Sequence, residues 1–272
     1  MSEPDIQLHK SLRDTFHKLD RALSPLFQEG AVRMGGGSIL AALWQHRLST
    51  DIDLSMPLAS WMEAQQGNPG IFREMAGALF DANLIAPQDL PDPSTLRIGT
   101  SLQLHSGERI PGCAPWSLCT SISESSNPAA DGPVRHIENT VIVASPLHRI
   151  MHGKLFGRMG RRRAPRGDAG LRTPQRDLYD IAVCMAREPE VIAEVLEGKP
   201  GEMLRQVVQN LREGPRDPTR GNSGRPIIQG TYKVEMVGIG ERIANALEAG
   251  DLSLMPVAKR IPRRTPSRGD PP

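Results

Sequence analysis

One short stretch constrains the fold more than any other. Gly35-Gly36-Gly37-Ser38 follows the apolar run Ala31 to Met34, and Asp51-Ile52-Asp53 comes thirteen residues after the serine. An apolar run that ends in consecutive glycines reads as a strand stopping in a tight turn. Ser38 reads as the cap of a helix from Ile39 to about His46. Asp51 to Met56 alternates polar and apolar residues, which is a strand pattern. The result is a compact strand–turn–helix–strand unit. Period two along the second strand places Asp51 and Asp53 on one face.

Each part of this unit has its own chemistry. Glycines let backbone N–H groups approach an anion closely, and a hydroxyl at a helix start adds a donor where the helix dipole also favours phosphate. Gly36, Gly37 and Ser38 thus form a candidate cradle for nucleotide phosphates. Two carboxylates at that spacing repel each other unless a cation lies between them. Hard oxygen ligands suit Mg²⁺ (or Mn²⁺), which is usually held by one or two carboxylates together with substrate phosphates. A D-x-D alone is more often the solvated face of a strand, and a glycine turn alone is a weak signal. Their spacing is what joins them into one hypothesis.

Residues 5–28 form an expected amphipathic helix with Leu12, Phe16, Leu19 and Leu23 on one face. A second is expected over 70–83, with Ile71, Met75, Leu79 and Phe80 on its buried face. Short alternating runs at 96–104, 116–123 and 141–143 read as further strands of the same sheet. Helices are expected at 146–157, 174–187, 189–197, 201–213 and 233–249. The expected organisation is an α+β core over 1–145, a mixed sheet flanked by helices. A helical half over 146–252 and a disordered basic tail over 253–272 follow.

Net charge is only +2, but basic residues cluster. Arg158 to Arg172 holds six arginines and one acid. Arg161, Arg162, Arg163 and Arg166 are candidate RNA contacts, weighed against a plain solvated loop. Lys259, Arg260, Arg263, Arg264 and Arg268 in the tail add non-specific attraction for a polyanion or do nothing. Aromatic residues make up 4% of the chain, which argues against a broad base-stacking platform. The three cysteines, Cys113, Cys119 and Cys184, are odd in number and irregularly spaced, so free thiols in a reducing cytoplasm are expected. No signal peptide and no run of 18 apolar residues is seen, so no membrane span is expected.

At Met34-Gly-Gly-Gly-Ser … His46-Arg47-Leu-Ser49-Thr-Asp51-Ile-Asp53-Leu54 the chain resembles the first motif of the AbiEii/AbiGii-type nucleotidyltransferase toxins, within the polymerase-β-like superfamily. A second match runs from Ser145 through His148, His152 and Lys154, then to Arg176-Asp177-Leu178-Tyr179-Asp180-Ile181. It is similar to the family's lysine motif and its Arg/Lys-Asp-Leu-Tyr-Asp-Leu motif. The resemblance implies that Gly37 and Ser38 hold phosphates, that Asp51 and Asp53 hold metal, that Lys154 meets the triphosphate or the transition state, and that Asp177 completes the catalytic set. The family commonly has Gly-Gly-Thr-Ala where this chain has Gly36-Gly37-Ser38-Ile39, and serine keeps the hydroxyl. A third strand carboxylate, common in the superfamily, has Glu124 as its candidate here, with Asp177 as the alternative. Arg47 faces substrate phosphates or pairs with Asp51 or Asp180. His46 reads as a packed or solvated residue rather than a ligand, Tyr179 as core, and Asp180 as the partner of a basic residue.

The expected activity is metal-dependent transfer of a nucleoside monophosphate from an NTP to an acceptor. The resemblance makes the chain a toxin with a cognate antitoxin, and the 3′ end of tRNA the first acceptor to test. A protein or small-molecule acceptor is the second reading. A nucleotide- or RNA-binding module without catalysis is the third.

Overall fold

The computed structural model describes residues 6–27, 30–49, 51–86, 103–105, 110–121, 136–138, 140–159, 175–213, 229–254 and 257–259. These fall into two compact units. The first takes the described residues up to Leu43 and Ser49–Ile150. The second takes Trp44–Leu48 and the described residues from Met151 onward.

The first unit opens with α1 (Lys10–Leu23), whose Leu12, Phe16, Leu19 and Leu23 are all buried, as their spacing requires. Next come β1 (Arg33–Gly35), α2 (Gly36–Trp44, its last residue already in the second unit), β2 (Ile52–Pro57), α3 (Leu58–Gly67) and α4 (Ile71–Asp81). The strands β3 (Gln103–His105), β4 (Trp116–Ser121), β5 (His136–Ile137) and β6 (Thr140–Ala144) complete a six-stranded mixed sheet in the order β3-β4-β2-β1-β6-β5. β1 runs antiparallel to β2 and parallel to β6, and β2 runs parallel to β4. The parallel β2–β4 pair requires a crossover, which α3 and α4 supply in sequence. α3 packs on β2 and β4, and α1 packs on α4.

Register sorts the central strands into two faces. Met34, Ile52, Leu54, Met56, Trp116 and Leu118 are buried, and α3 adds Trp61, also buried. Burial of such side chains contributes roughly 1.5–3 kcal/mol each. The Trp116 indole N–H donates to the Leu84 carbonyl at 2.8 Å, so its polar edge is satisfied inside the core.

Three local expectations are corrected here. Phe80 is 45% exposed and Phe72 is buried instead. At 100° per residue Phe80 lies opposite Ile71, so it cannot share that face. The helix after the glycines starts at Gly36 and ends at Trp44, so Ser38 lies within its first turn and is not its cap. Helix α3 has no counterpart in the sequence reading. Its buried residues are Trp61 and Gln65, one of them polar, and that leaves no apolar stripe to detect.

The second unit continues from α5 (Leu147–His152), which straddles the division, into a π-helical stretch, Gly153–Met159. It then contains α6 (Gln175–Arg187), α7 (Pro189–Leu196), α8 (Gly201–Arg212), β7 (Tyr232–Val234), α9 (Ile239–Ala249) and β8 (Val257–Lys259). α8 packs on α9, and α6 packs on α7, α9, β7 and β8. The helix expected over 233–249 is therefore a strand followed by a helix, with Gly238 at φ 67° between them. The tail expected to be disordered holds β8, paired antiparallel with β7 through Tyr232↔Lys259 and Val234↔Val257. Composition alone could not announce that long-range pairing. Cys113, Cys119 and Cys184 are all unbridged. No helix among the described residues is long and apolar enough to cross a membrane.

Candidate active site

In the first unit, Asp53 stands opposite Gly35 on β1 and opposite Ser117 on β4. Ser117 and Gly36, the residue after Gly35, border its carboxylate. The Ser117 hydroxyl donates to Asp53 Oδ1 at 3.1 Å. On the other side is Gly36, at φ 65°, where a Cβ would overlap Asp53 Oδ2. Only glycine takes that backbone conformation and that approach without strain. Asp51 lies just before β2 and accepts from the Ser49 hydroxyl at 3.3 Å. Asp51 and Asp53 are half-buried, while Ile52 and Leu54 between and beyond them are fully buried, so alternation sets the two acids on the same face. Ser38 is 1% exposed, and its hydroxyl donates back to the Gly35 carbonyl at 3.2 Å. That bond closes the glycine turn and ties the start of α2 to the end of β1.

The chemistry of the donor set fits a hard divalent cation. Two half-buried carboxylates supply oxygen, and Gly36, having no Cβ, lets Asp53 Oδ2 lie against its backbone. Among the described residues no group of three His, Cys, Asp or Glu forms a metal centre.

The second unit contains a buried ionic cluster. Arg47 grips Asp180 bidentately, Nε to Oδ1 at 2.7 Å and Nη2 to Oδ2 at 3.0 Å. His46 Nε2 lies 2.6 Å from Asp180 Oδ1, and Lys154 Nζ lies 3.0 Å from Asp180 Oδ2. Lys154 also donates to Asp177. A carboxylate accepts only, so His46 carries its proton on Nε2. His46 Nδ1 is buried with no hydrogen-bond partner. The His46 ring stacks on Tyr179 at 5.3 Å and 7°, and the Tyr179 hydroxyl serves the carbonyls of His46 and Tyr232 at 2.7 and 2.6 Å.

Electrostatics follows from this packing. Burial pushes the Asp180 carboxyl up, but Lys154, Arg47 and the bond from His46 outweigh it and hold the acid well below its usual range. Burial would lower Lys154, yet Asp180 and then Asp177 raise it, so it is a fixed cation. His46 goes the other way: burial lowers it more than Asp180 raises it, and it is neutral.

The residues singled out from sequence thus divide between the units. Gly36, Gly37, Ser38, Asp51 and Asp53 belong to the first, and Arg47, Lys154 and Asp177 to the second. Arg47 pairs with Asp180, one of the partners open to it, and the residue is only 6% exposed. His46 and Tyr179 are packed, and Asp180 is the partner of basic residues, as their positions suggested. Glu124, Arg161, Arg162, Arg163 and Arg166 lie outside the described residues. Sequence reasoning missed Ser117. Its position on an alternating strand was readable, but the register that sets it beside Asp53 was not.

Comparison with curated proteins gives no match. Among solved structures, a candidate nucleotidyltransferase from H. pylori aligns with a TM-score of 0.38 and 12% identity, over 74% of this chain and 75% of that one. JHP933 from Helicobacter pylori aligns with a TM-score of 0.38 and 15% identity, over 76% of each chain. Neither likeness is close enough to carry an argument. The family model of the AbiEii nucleotidyl transferase toxin, of type IV toxin–antitoxin systems, matches residues 17–236. That span includes the glycine turn, the Asp pair, Lys154 and Asp177, and the chain belongs to the AbiEii nucleotidyltransferase toxin family.

Proposed function

We propose that this toxin transfers a nucleoside monophosphate from an NTP to an acceptor, with Asp51 and Asp53 as ligands to Mg²⁺ or Mn²⁺ and the Gly36–Ser38 turn beside the nucleotide phosphates. The observation that carries the reading is the closeness of that turn to Asp53, where Gly36 leaves no space for a Cβ beside Oδ2. A turn that binds phosphate and a carboxylate that binds the phosphate's metal must be neighbours. The metal, when bound, would neutralise charge on the phosphates during the displacement. Asp51 and Asp53 would hold it, and the backbone N–H groups at the start of α2 would orient the phosphate chain. Lys154 and Asp177, in the second unit, take from the family resemblance the roles of triphosphate contact and catalytic carboxylate.

The proposed acceptor is the 3′ end of tRNA. Its support is sequence alone, the arginine cluster at 161–166 and the basic tail. The experiment is incubation of the protein with total tRNA and each α-labelled NTP, beside an Asp53→Ala control. Label on tRNA that disappears in the control is the expected result. Activity surviving Asp53→Ala would remove Asp53 from the site. Label on protein and none on tRNA would replace the acceptor while keeping the chemistry.

A further inference from the structure

We infer that Ser117 is a positioning residue for the metal site, fixing the plane of the Asp53 carboxylate and so deciding which of its lone pairs face the cation. The inference rests on the metal reading given above and adds a residue outside the motifs that mark the family resemblance.

A carboxylate on a strand is free to turn about its last torsion, which is broad and shallow. Here the turn is blocked on both sides. Ser117 Oγ donates its one proton to Oδ1 at 3.1 Å, and the backbone at Gly36 bounds Oδ2. Ser117 is itself held in place, because β4 runs in parallel register with β2 along Ile52↔Trp116, Asp53↔Ser117 and Leu54↔Leu118. Its flanking residues Trp116 and Leu118 are 2% and 0% exposed. The serine is therefore presented by a strand locked from the opposite face of the sheet. Outer hydrogen-bond partners of metal-binding carboxylates orient the ligand, and their loss typically weakens metal affinity by about 10–100-fold. A hydroxyl does this without adding a charge, leaving Asp51 and Asp53 as the anionic ligands on this face.

The test is Mn²⁺ titration of the full chain, read by electron paramagnetic resonance, for the wild type and for Ser117→Ala, Ser117→Cys, Ser117→Thr and Asp53→Asn, with thermal unfolding of each in parallel. Ser117→Thr keeps the hydroxyl and suits a strand. Ser117→Cys keeps the shape with a weak donor, and it decides the matter if the alanine variant melts early. The expected result is tight binding by the wild type and the threonine variant, and binding about tenfold weaker in the alanine and cysteine variants. Asp53→Asn should bind weakest. In the transfer assay the same two weak variants should need more Mg²⁺ for half-maximal rate while the rate at saturating metal falls less. Folded alanine and cysteine variants that bind Mn²⁺ like the wild type, while Asp53→Asn does not, would overturn the role of Ser117 and leave the metal reading standing. Wild-type protein without Mn²⁺ binding, or Asp53→Asn binding as the wild type does, would overturn both.

Discussion

Asp53 and Asp180 are both aspartates at motif positions, and they live in opposite surroundings. Asp53 is half-buried on a sheet face, tied by a neutral hydroxyl and bounded by a glycine turn. Asp180 is fully buried and meets Arg47, His46 and Lys154 with its two oxygens. Asp180 meets three basic groups with its two oxygens, so its charge is spent on holding the fold. On the reading proposed above, Asp53 serves the chemistry and Asp180 the architecture.

Substitution separates the two most sharply. Asp53→Ala should take transfer to background while the urea midpoint stays near that of the wild type. Asp180→Ala should unfold the protein far more easily, by about 3–5 kcal/mol, because it removes the buried carboxylate that Arg47, His46 and Lys154 share. Equal destabilisation by both changes would erase the distinction. A gentler break is Gly230→Ala, whose Cβ would overlap the Gln45 carbonyl. It should cost about 1–3 kcal/mol by overpacking, measured by denaturant titration, with activity per folded molecule kept.

The pH dependence sharpens the same contrast. His46 has a lowered pKa in the fold, so the unfolded chain binds its proton first as pH falls. Stability from this residue is complete above its ordinary value near 6.5 and declines below it, by at most about 1.4 kcal/mol per pH unit. His46→Gln should flatten that slope below about pH 6.5. Asp180, held well below its usual range, adds its loss only once pH falls under the ordinary carboxylate value of roughly 4. Lys154, raised, keeps its contribution until pH climbs past about 10.4. The smallest effect should come from Arg212→Ala. Its ion pairs with Glu241 and Glu248 are exposed, and the thermal midpoint should not move measurably.

Much of this was legible in the chain. The stripe of Leu12, Phe16, Leu19 and Leu23, the alternation around Asp53, and the bounds of α6 come from local periodicity, which sequence displays directly. The family motifs named Lys154 and Asp177 before any coordinate. What stayed hidden was pairing between distant segments. Ser117 finds Asp53 through strand register, and β8 finds β7 across residues whose composition suggests no structure. Arg47 was ambiguous because a guanidinium suits a phosphate and a carboxylate equally well, and only the proximity of Asp180 decides.

The five residues Trp44–Leu48 illustrate this most fully, because they are built into the second unit. Trp44 Nε1 donates to Glu188 at 2.8 Å, Gln45 accepts from Thr231 N at 2.9 Å, and His46 and Arg47 bind Asp180. On the ribosome that segment emerges long before any of its partners. At synthesis rates of about 5–20 residues per second, the stretch from Leu48 to Tyr232 takes roughly 10–40 seconds to add. Until residue 180 is made His46 and Arg47 lack Asp180, and until residue 231 is made the Gln45 carbonyl lacks that N–H. A nascent or truncated chain that stops before Tyr232 thus carries the glycine turn, Asp51 and Asp53 but not the finished second unit. The structure begun at Trp44 is completed by Glu188, Asp180 and Thr231, which follow it far along the chain.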